Sequence, residues 1–326
     1  MAYSTLRKLV TEYALEEAGI IDNLVVDSGI LQTALVMPSS MGTFHKYKEY
    51  LTLPSGTFRN INGTISPTST NYAIRQLELK RCAALQSEDK DLCEEIGVVK
   101  HFNDEKAAFM EGLGQTISTQ TIYGNNATYG NVQGFKGFAQ IASEKSNTIE
   151  GTTQTTGLST IFAVKYRDRR AGIVINPKLV KGGGIIQQQF MNNSAPTMES
   201  DADGALRPVY QVMYNTQLAF LSATNYDVAA LHSIDVDGGA TTGVTVANLL
   251  SLLRMVKGDQ GSGTILYCNR IVRDLIRGLK LSELSMSVYD KNFDISVDQF
   301  MGIPIVVDDN ILSTEASASL PYSKAV

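Results

Sequence analysis

The chain has only three cysteines among its 326 residues, Cys82, Cys93 and Cys268, with no Cys-x-x-Cys pair and an odd total. That argues against a disulfide framework or a zinc knuckle and points to free thiols in a reducing compartment. Histidine is equally scarce. His45, His101 and His232 lie far apart, none beside a nucleophile or a metal partner at ligand spacing, so no catalytic, cofactor or metal role is expected of them. No apolar run approaches the ~20 residues that span a membrane. The opening residues, Met1 to Leu9, lack a signal peptide's uninterrupted apolar core, so the chain is expected to remain in the cytoplasm where it is made, with no membrane partner. An excess of basic charge is missing too: 28 Lys plus Arg stand against 33 Asp plus Glu, a formal charge of −5. A protein that gains affinity by neutralising phosphates needs clustered cations, so that class is disfavoured, although enclosing DNA without gripping it is not.

The composition is otherwise that of a folded protein. With 43% hydrophobic and 19% charged residues, apolar burial can offset the entropy of ordering the backbone. Apolar residues from Ser4 to Glu17 recur at three and four, which predicts a helix closing at Gly19, and a second stretch runs from Ile20 to Met37 and stops at Pro38. Together they suit an N-terminal arm over residues 1–43. Residues 44–81 read as a long two-stranded hairpin with a turn-rich tip. Two strands alone cannot bury an apolar face in water, so this ribbon should pack on something else.

Ser87 to Tyr123 predicts a long helix broken near Gly97, with Phe109, Leu113 and Ile117 at steps of four and a C-cap signal at Tyr123-Gly124-Asn125. Gly112 and Gly114 each cost about 1 kcal/mol against alanine there, which suggests close approach of another backbone or a helix irregularity. Ser159 to Asn176 predicts a hairpin turning at Arg167-Asp168-Arg169-Arg170. Two alternating strands follow, Tyr210 to Phe220 and Tyr226 to Ile234, so residues 158–236 read as an inserted β subdomain. The last third turns α/β: a helix from Val246 to Val256, a strand from Thr264 to Cys268, a helix over Ile271 to Leu279, and strand-like pieces at Ser285 to Val288 and Ile303 to Val307.

Three stretches echo ligand sites and are read as ordinary turns. Glu199 to Gly204 and Asp235 to Gly238 lack the glutamate that closes a calcium loop. Gly258 to Thr264 precedes a strand instead of a helix and has no Lys-Ser pair, so it is a loop and not a phosphate cradle. The basic cluster Arg167 to Arg170 is read as a solvated hairpin tip.

The C-terminal run Phe300-Met301-Gly302-Ile303-Pro304-Ile305-Val306-Val307-Asp308-Asp309 resembles the corresponding segment of tailed-bacteriophage major capsid proteins of the Hong Kong 97-type fold. Further segments fall in that family's order. Leu53 to Gly63 is similar to its extended loop, Ser87 to Leu92 and Ile122 to Asn125 to the two ends of its spine helix, and Gly134-Phe135-Lys136-Gly137-Phe138 to the turn after it. Ser159 to Val164, Asn176-Pro177-Lys178 and Leu231 to Val236 resemble the inserted domain, and Tyr267-Cys268-Asn269-Arg270 the start of the axial helix. Where Val164-Lys165-Tyr166 stands the family often carries a tryptophan, and this chain has none.

The resemblance implies an α+β capsid fold: arm over 1–43, extended loop over 44–81, peripheral domain with spine helix over 82–157, inserted β subdomain over 158–236, axial domain over 237–300 and a C-terminal strand region over 301–326. It implies a structural, non-enzymatic protein that builds hexamers and pentamers of an icosahedral shell around double-stranded DNA. Subunit contacts are expected at the loop tip, through Phe58, Arg59, Asn60 and Asn62. The implied partners are other copies, a portal protein, decoration proteins and, since no long charged segment precedes the first helix, a separate scaffolding protein. The implied location is the virion, with assembly in the host cytoplasm. Some related shells cross-link through a loop lysine, but residues 49–79 hold none, so no covalent linkage is expected. The rival readings are an encapsulin-like nanocompartment and, more distantly, a cytosolic enzyme or carbohydrate-binding β protein.

Overall fold

The computed structural model describes residues 28–178, 186–200, 204, 206–236, 242–259, 261–279 and 298–322. The helix expected over residues 4–17 and the strand expected at 285–288 lie outside them. In chain order the elements are α1 (Gly29–Thr33), β1 (Val36–Pro38), β2 (Phe44–Thr52), β3 (Asn71–Glu78), β4 (Lys80–Asp89), α2 (Lys90–Ile96) and α3 (Val98–Tyr123). Then come α4 (Phe138–Glu144), β5 (Thr148–Glu150), β6 (Leu158–Lys165), β7 (Ala171–Ile175), β8 (Gln187–Phe190), β9 (Thr197–Ser200), β10 (Leu206–Ser222) and β11 (Val228–Asp235). The chain continues through α5 (Val246–Val256), β12 (Thr264–Cys268), α6 (Arg270–Gly278), β13 (Asp298–Phe300) and β14 (Ile303–Val307).

One six-stranded sheet runs β13-β14-β12-β6-β11-β5 and is covered on both faces. Successive side chains of a strand point to opposite faces. In β6, Ile161 and Ala163 pack with α5 and α6, while Phe162 and Val164 face α4 and the end of α3. This is why every residue of β6 is buried and its sequence shows no polar alternation. Phe138, from the glycine-phenylalanine turn, sits where the layers meet, with ring centroids 5.0 Å from Phe220, 5.9 Å from Phe162 and 6.0 Å from Tyr267. Two of the three thiols, Cys93 and Cys268, are buried, Cys82 is half-buried, and among the described residues none is joined in a disulfide.

The second six-stranded sheet orders β1-β7-β10-β4, with β8 and β9 also pairing along the 17-residue β10. Here the structure departs from the sequence reading. The Ser159–Asn176 strands form, yet they do not make a hairpin: β6 joins the first sheet and β7 the second, and the turn between them closes on the Arg167–Ala171 bridge. Nor do the strands of 158–236 pair only among themselves, since β10 pairs with β4 over Lys80–Asp89 and β6 pairs with β12. Apolar alternation fixes a strand's faces without naming its partner, which is how the block looked self-contained.

Strand β4 leaves little mark in the sequence. Its outward residues include Ala83 and Leu85 and its inward ones Cys82 and Gln86, a contrast too weak to read as alternation, so the pattern points to a helix from Ser87. The helices start instead at Lys90, where Asp89 accepts from the Asp91 N–H at 2.9 Å, and they break at Gly97, φ +99°. Gly112 is exposed on α3, and a Cβ there would meet nothing within 4 Å, so no backbone of the described residues packs against it. The close approach occurs after the helix: a Cβ on Gly124, φ +68°, would lie 2.2 Å from the Gly137 nitrogen.

Two buried carboxylates tie the layers. Asp308 Oδ2 accepts from the Ser28 hydroxyl at 2.8 Å, the Ile30 N–H at 2.9 Å and the Ser118 hydroxyl at 3.2 Å, while its Oδ1 accepts both Asn310 donors. Glu315 accepts from Tyr123 and from Thr160, each at 2.6 Å. The aspartate that closes the C-terminal motif thus fastens the segment before α1 to the spine helix α3.

Candidate assembly interface

Strands β2 and β3 form a two-stranded sheet of their own, in register from Phe44↔Glu78 to Tyr50↔Tyr72, with a bulge between Tyr50 and Thr52. At its base one face is anchored, where Tyr47 and Leu77 pack against the main core. Burial raises the Tyr47 hydroxyl above its ordinary pKa and lowers that of His45, so both stay neutral at the foot of the ribbon. The other face carries Phe44, Tyr50, Tyr72 and Ile74, all exposed. Polar groups rigidify the ribbon without covering this face: Arg75 donates to Glu49 at 2.7 Å, and the Lys48 ammonium lies 5.1 Å from the Tyr72 ring centre.

Beyond the strands, residues 53–70 project as a tip with one defined turn. The Gly63 N–H donates to the Asn60 carbonyl at 3.0 Å, Asn62 adopts φ +69°, and the Arg59 guanidinium closes the turn on the Gly63 carbonyl at 2.9 Å. Asparagine tolerates that left-handed backbone better than most residues, which accounts for it at this position. Phe58 stands fully in solvent and Ile61 is 96% exposed. Among the described residues, ten of the twenty exposed large hydrophobics fall between Met41 and Ile74. Scattered exposed apolar groups are ordinary, but such a concentration on one projecting element marks a contact surface.

The structure therefore brings Phe58, Arg59, Asn60 and Asn62 together on one turn. It also presents an apolar groove that the sequence reading lacked, between β4 and α3, lined by Cys82, Ala84, Phe109, Gly112 and Leu113. The basic cluster is an exposed turn, with Arg169 at φ +58° and 3.9 Å from Asp168. Glu199 of the acidic turn bonds Ser87 and Arg207. One histidine differs from expectation: Glu88 and Glu105 converge on His101. The His101-x-x-x-Glu105 spacing on a helix was the available signal, and Glu88 arrives only through β4.

No curated protein matches the sequence. Among solved structures, a chain of bacteriophage Epsilon15 is similar with a TM-score of 0.55 at 16% identity, covering 88% of each chain. The bacteriophage JBD30 capsid is similar at TM-score 0.46 and 10% identity, over 91% of this chain and 96% of that one. The SrpI encapsulin of Synechococcus elongatus gives 0.40 at 10% identity, over 65% and 89%. The family model described as Major capsid protein GP7 matches residues 14–319. With that match spanning most of the sequence and the Epsilon15 likeness showing the shell fold, the chain belongs to the Major capsid protein GP7 family and is a structural protein of a tailed-phage capsid shell.

Proposed function

We propose that the β2–β3 arm of each subunit lies across a neighbouring subunit of the shell, with Phe58, Arg59, Asn60 and Asn62 making the contact. The observation that carries this reading is the exposure of Phe58 and Ile61 beside a polar turn, on a ribbon that packs on the core at its base through Tyr47 and Leu77. Burying one such side chain is worth about 1.5–3 kcal/mol, and shell symmetry repeats that modest gain at every copy. Asn60 and the remaining guanidinium donors of Arg59 supply direction, so the contact fixes orientation as well as affinity.

Hexamers and pentamers built this way assemble in the host cytoplasm on a separate scaffolding protein, incorporate a portal and, where the shell needs reinforcement, decoration proteins. Double-stranded DNA is enclosed without sequence-specific contact, in keeping with the net charge of −5. The test is co-expression with the neighbouring phage genes, followed by sedimentation and electron microscopy of Phe58→Ala and Arg59→Ala variants. Particle yield should fall in both while circular dichroism of the unassembled subunit stays unchanged. Normal yield of intact shells from both variants refutes the arm as the contact.

A further inference from the structure

Glu88 at the end of β4 and His101 and Glu105 on α3 bring one ligating atom each to within 4.8 Å of one another. His101 and Glu105 are four residues apart, so they stand on the same helix face one turn apart. The His101 Nε2 atom is shielded from solvent and has no hydrogen-bond partner. Its nearest acidic neighbour, Glu88 Oε2, is 3.7 Å away, too far for a hydrogen bond. Two ligands bound tetrahedrally at roughly 2.0–2.1 Å from zinc lie roughly 3.4 Å apart, which is close to this separation. A buried nitrogen without a partner, facing a carboxylate across a gap of this size, is the arrangement that a bridging cation satisfies.

The surroundings agree. Gln86 donates to Glu105 Oε2 at 2.8 Å and accepts from Tyr214 at 3.2 Å, an outer layer of the kind that orients metal ligands. Glu105 is exposed, which leaves the site an open side for entry and for a water ligand.

We infer that Glu88, His101 and Glu105 form a binding site for one zinc-class divalent cation, clamping the end of β4 to the first turns of the spine helix. An imidazole with two carboxylates suits zinc or cobalt better than calcium or magnesium, which prefer all-oxygen shells.

The test uses the untagged full-length chain, stripped with chelator and titrated with Co²⁺, whose visible absorption reports nitrogen–oxygen ligation, and then with Zn²⁺ in competition. One equivalent should bind saturably and raise the thermal midpoint. Affinity should fall by about tenfold or more in His101→Gln and in Glu105→Gln, the latter altering an exposed side chain and keeping an acceptor for Gln86. His45→Gln should bind as the wild type does. Absence of saturable Co²⁺ uptake overturns the proposal, as does equal uptake by wild type, His101→Gln and Glu105→Gln. A thermal midpoint that saturating metal leaves unchanged also overturns it, in favour of a plain histidine–carboxylate pair.

Discussion

The Tyr123 hydroxyl donates to Glu315 Oε1 at 2.6 Å, joining the last residue of the spine helix to the C-terminal segment 192 residues later. The same hydroxyl accepts the Leu312 N–H at 2.9 Å, and Thr160 of β6 holds the second carboxylate oxygen. Spine helix, first sheet and C-terminal return thus meet at one buried acid with no salt-bridge partner among the described residues.

Burial pushes Glu315 up to about 7 from its ordinary 4.5, against the smaller opposing effect of its two hydrogen bonds. The folded state therefore holds a proton that the unfolded chain has lost, and stability falls as pH rises from about 4.5 to about 7. The loss amounts to about 3 kcal/mol. Glu315→Gln keeps an acceptor and cannot ionise, so this variant should lack that contribution in denaturant unfolding.

His232 has the opposite slope. It stacks on Tyr322 with ring centroids 4.3 Å apart, and burial pulls it down to about 4 from 6.5. The unfolded chain takes up the proton first, so stability falls as pH drops from about 6.5 to about 4, by up to about 3 kcal/mol. The two slopes offset each other between about pH 4.5 and 6.5 in the wild type. His232→Asn, which keeps a polar atom for Ser233, should expose the Glu315 decline, and Glu315→Gln should expose the His232 one. Unfolding midpoints measured across that range check both.

Asp308→Asn should destabilise the subunit by about 2–4 kcal/mol, because either orientation of the amide sets an NH₂ group against buried donors. The affected donors are those of Ser28, Ile30 and Ser118 on one side and Asn310 on the other. Urea unfolding of the unassembled chain measures the loss. A loss below 0.5 kcal/mol would contradict the clamp.

Mature particles should run as a single band on denaturing gels. Between Glu49 and Leu79 the arm carries no lysine, so this outer part offers no amine for an isopeptide bond to a neighbour. A ladder of covalent oligomers would show that another element supplies the nucleophile.

The arm was the most legible element. Its strands occur at Phe44–Thr52 and Asn71–Glu78 within the expected 44–81, because alternation and a Pro-Gly-Asn-rich tip are local properties. The spine helix, its break at Gly97 and the helices of the last third were readable for the same reason, their periodicity and caps lying within a few residues. The turn that gathers Phe58, Arg59, Asn60 and Asn62 is local too, held by the Asn60–Gly63 and Arg59–Gly63 bonds.

The sequence by itself thus determined the arm's strands, the spine helix, the helices of the last third and, through ordered motifs, the family. Tertiary structure alone decided that β6 and β7 part into different sheets and that β10 reaches back to β4, because a strand's side chains record which faces are buried and not which edge it joins. It also decided that Glu315 and Asp308 are buried clamps and that Glu88 meets His101. Partners far apart in the chain are chosen by the packing of whole layers, which no local pattern encodes.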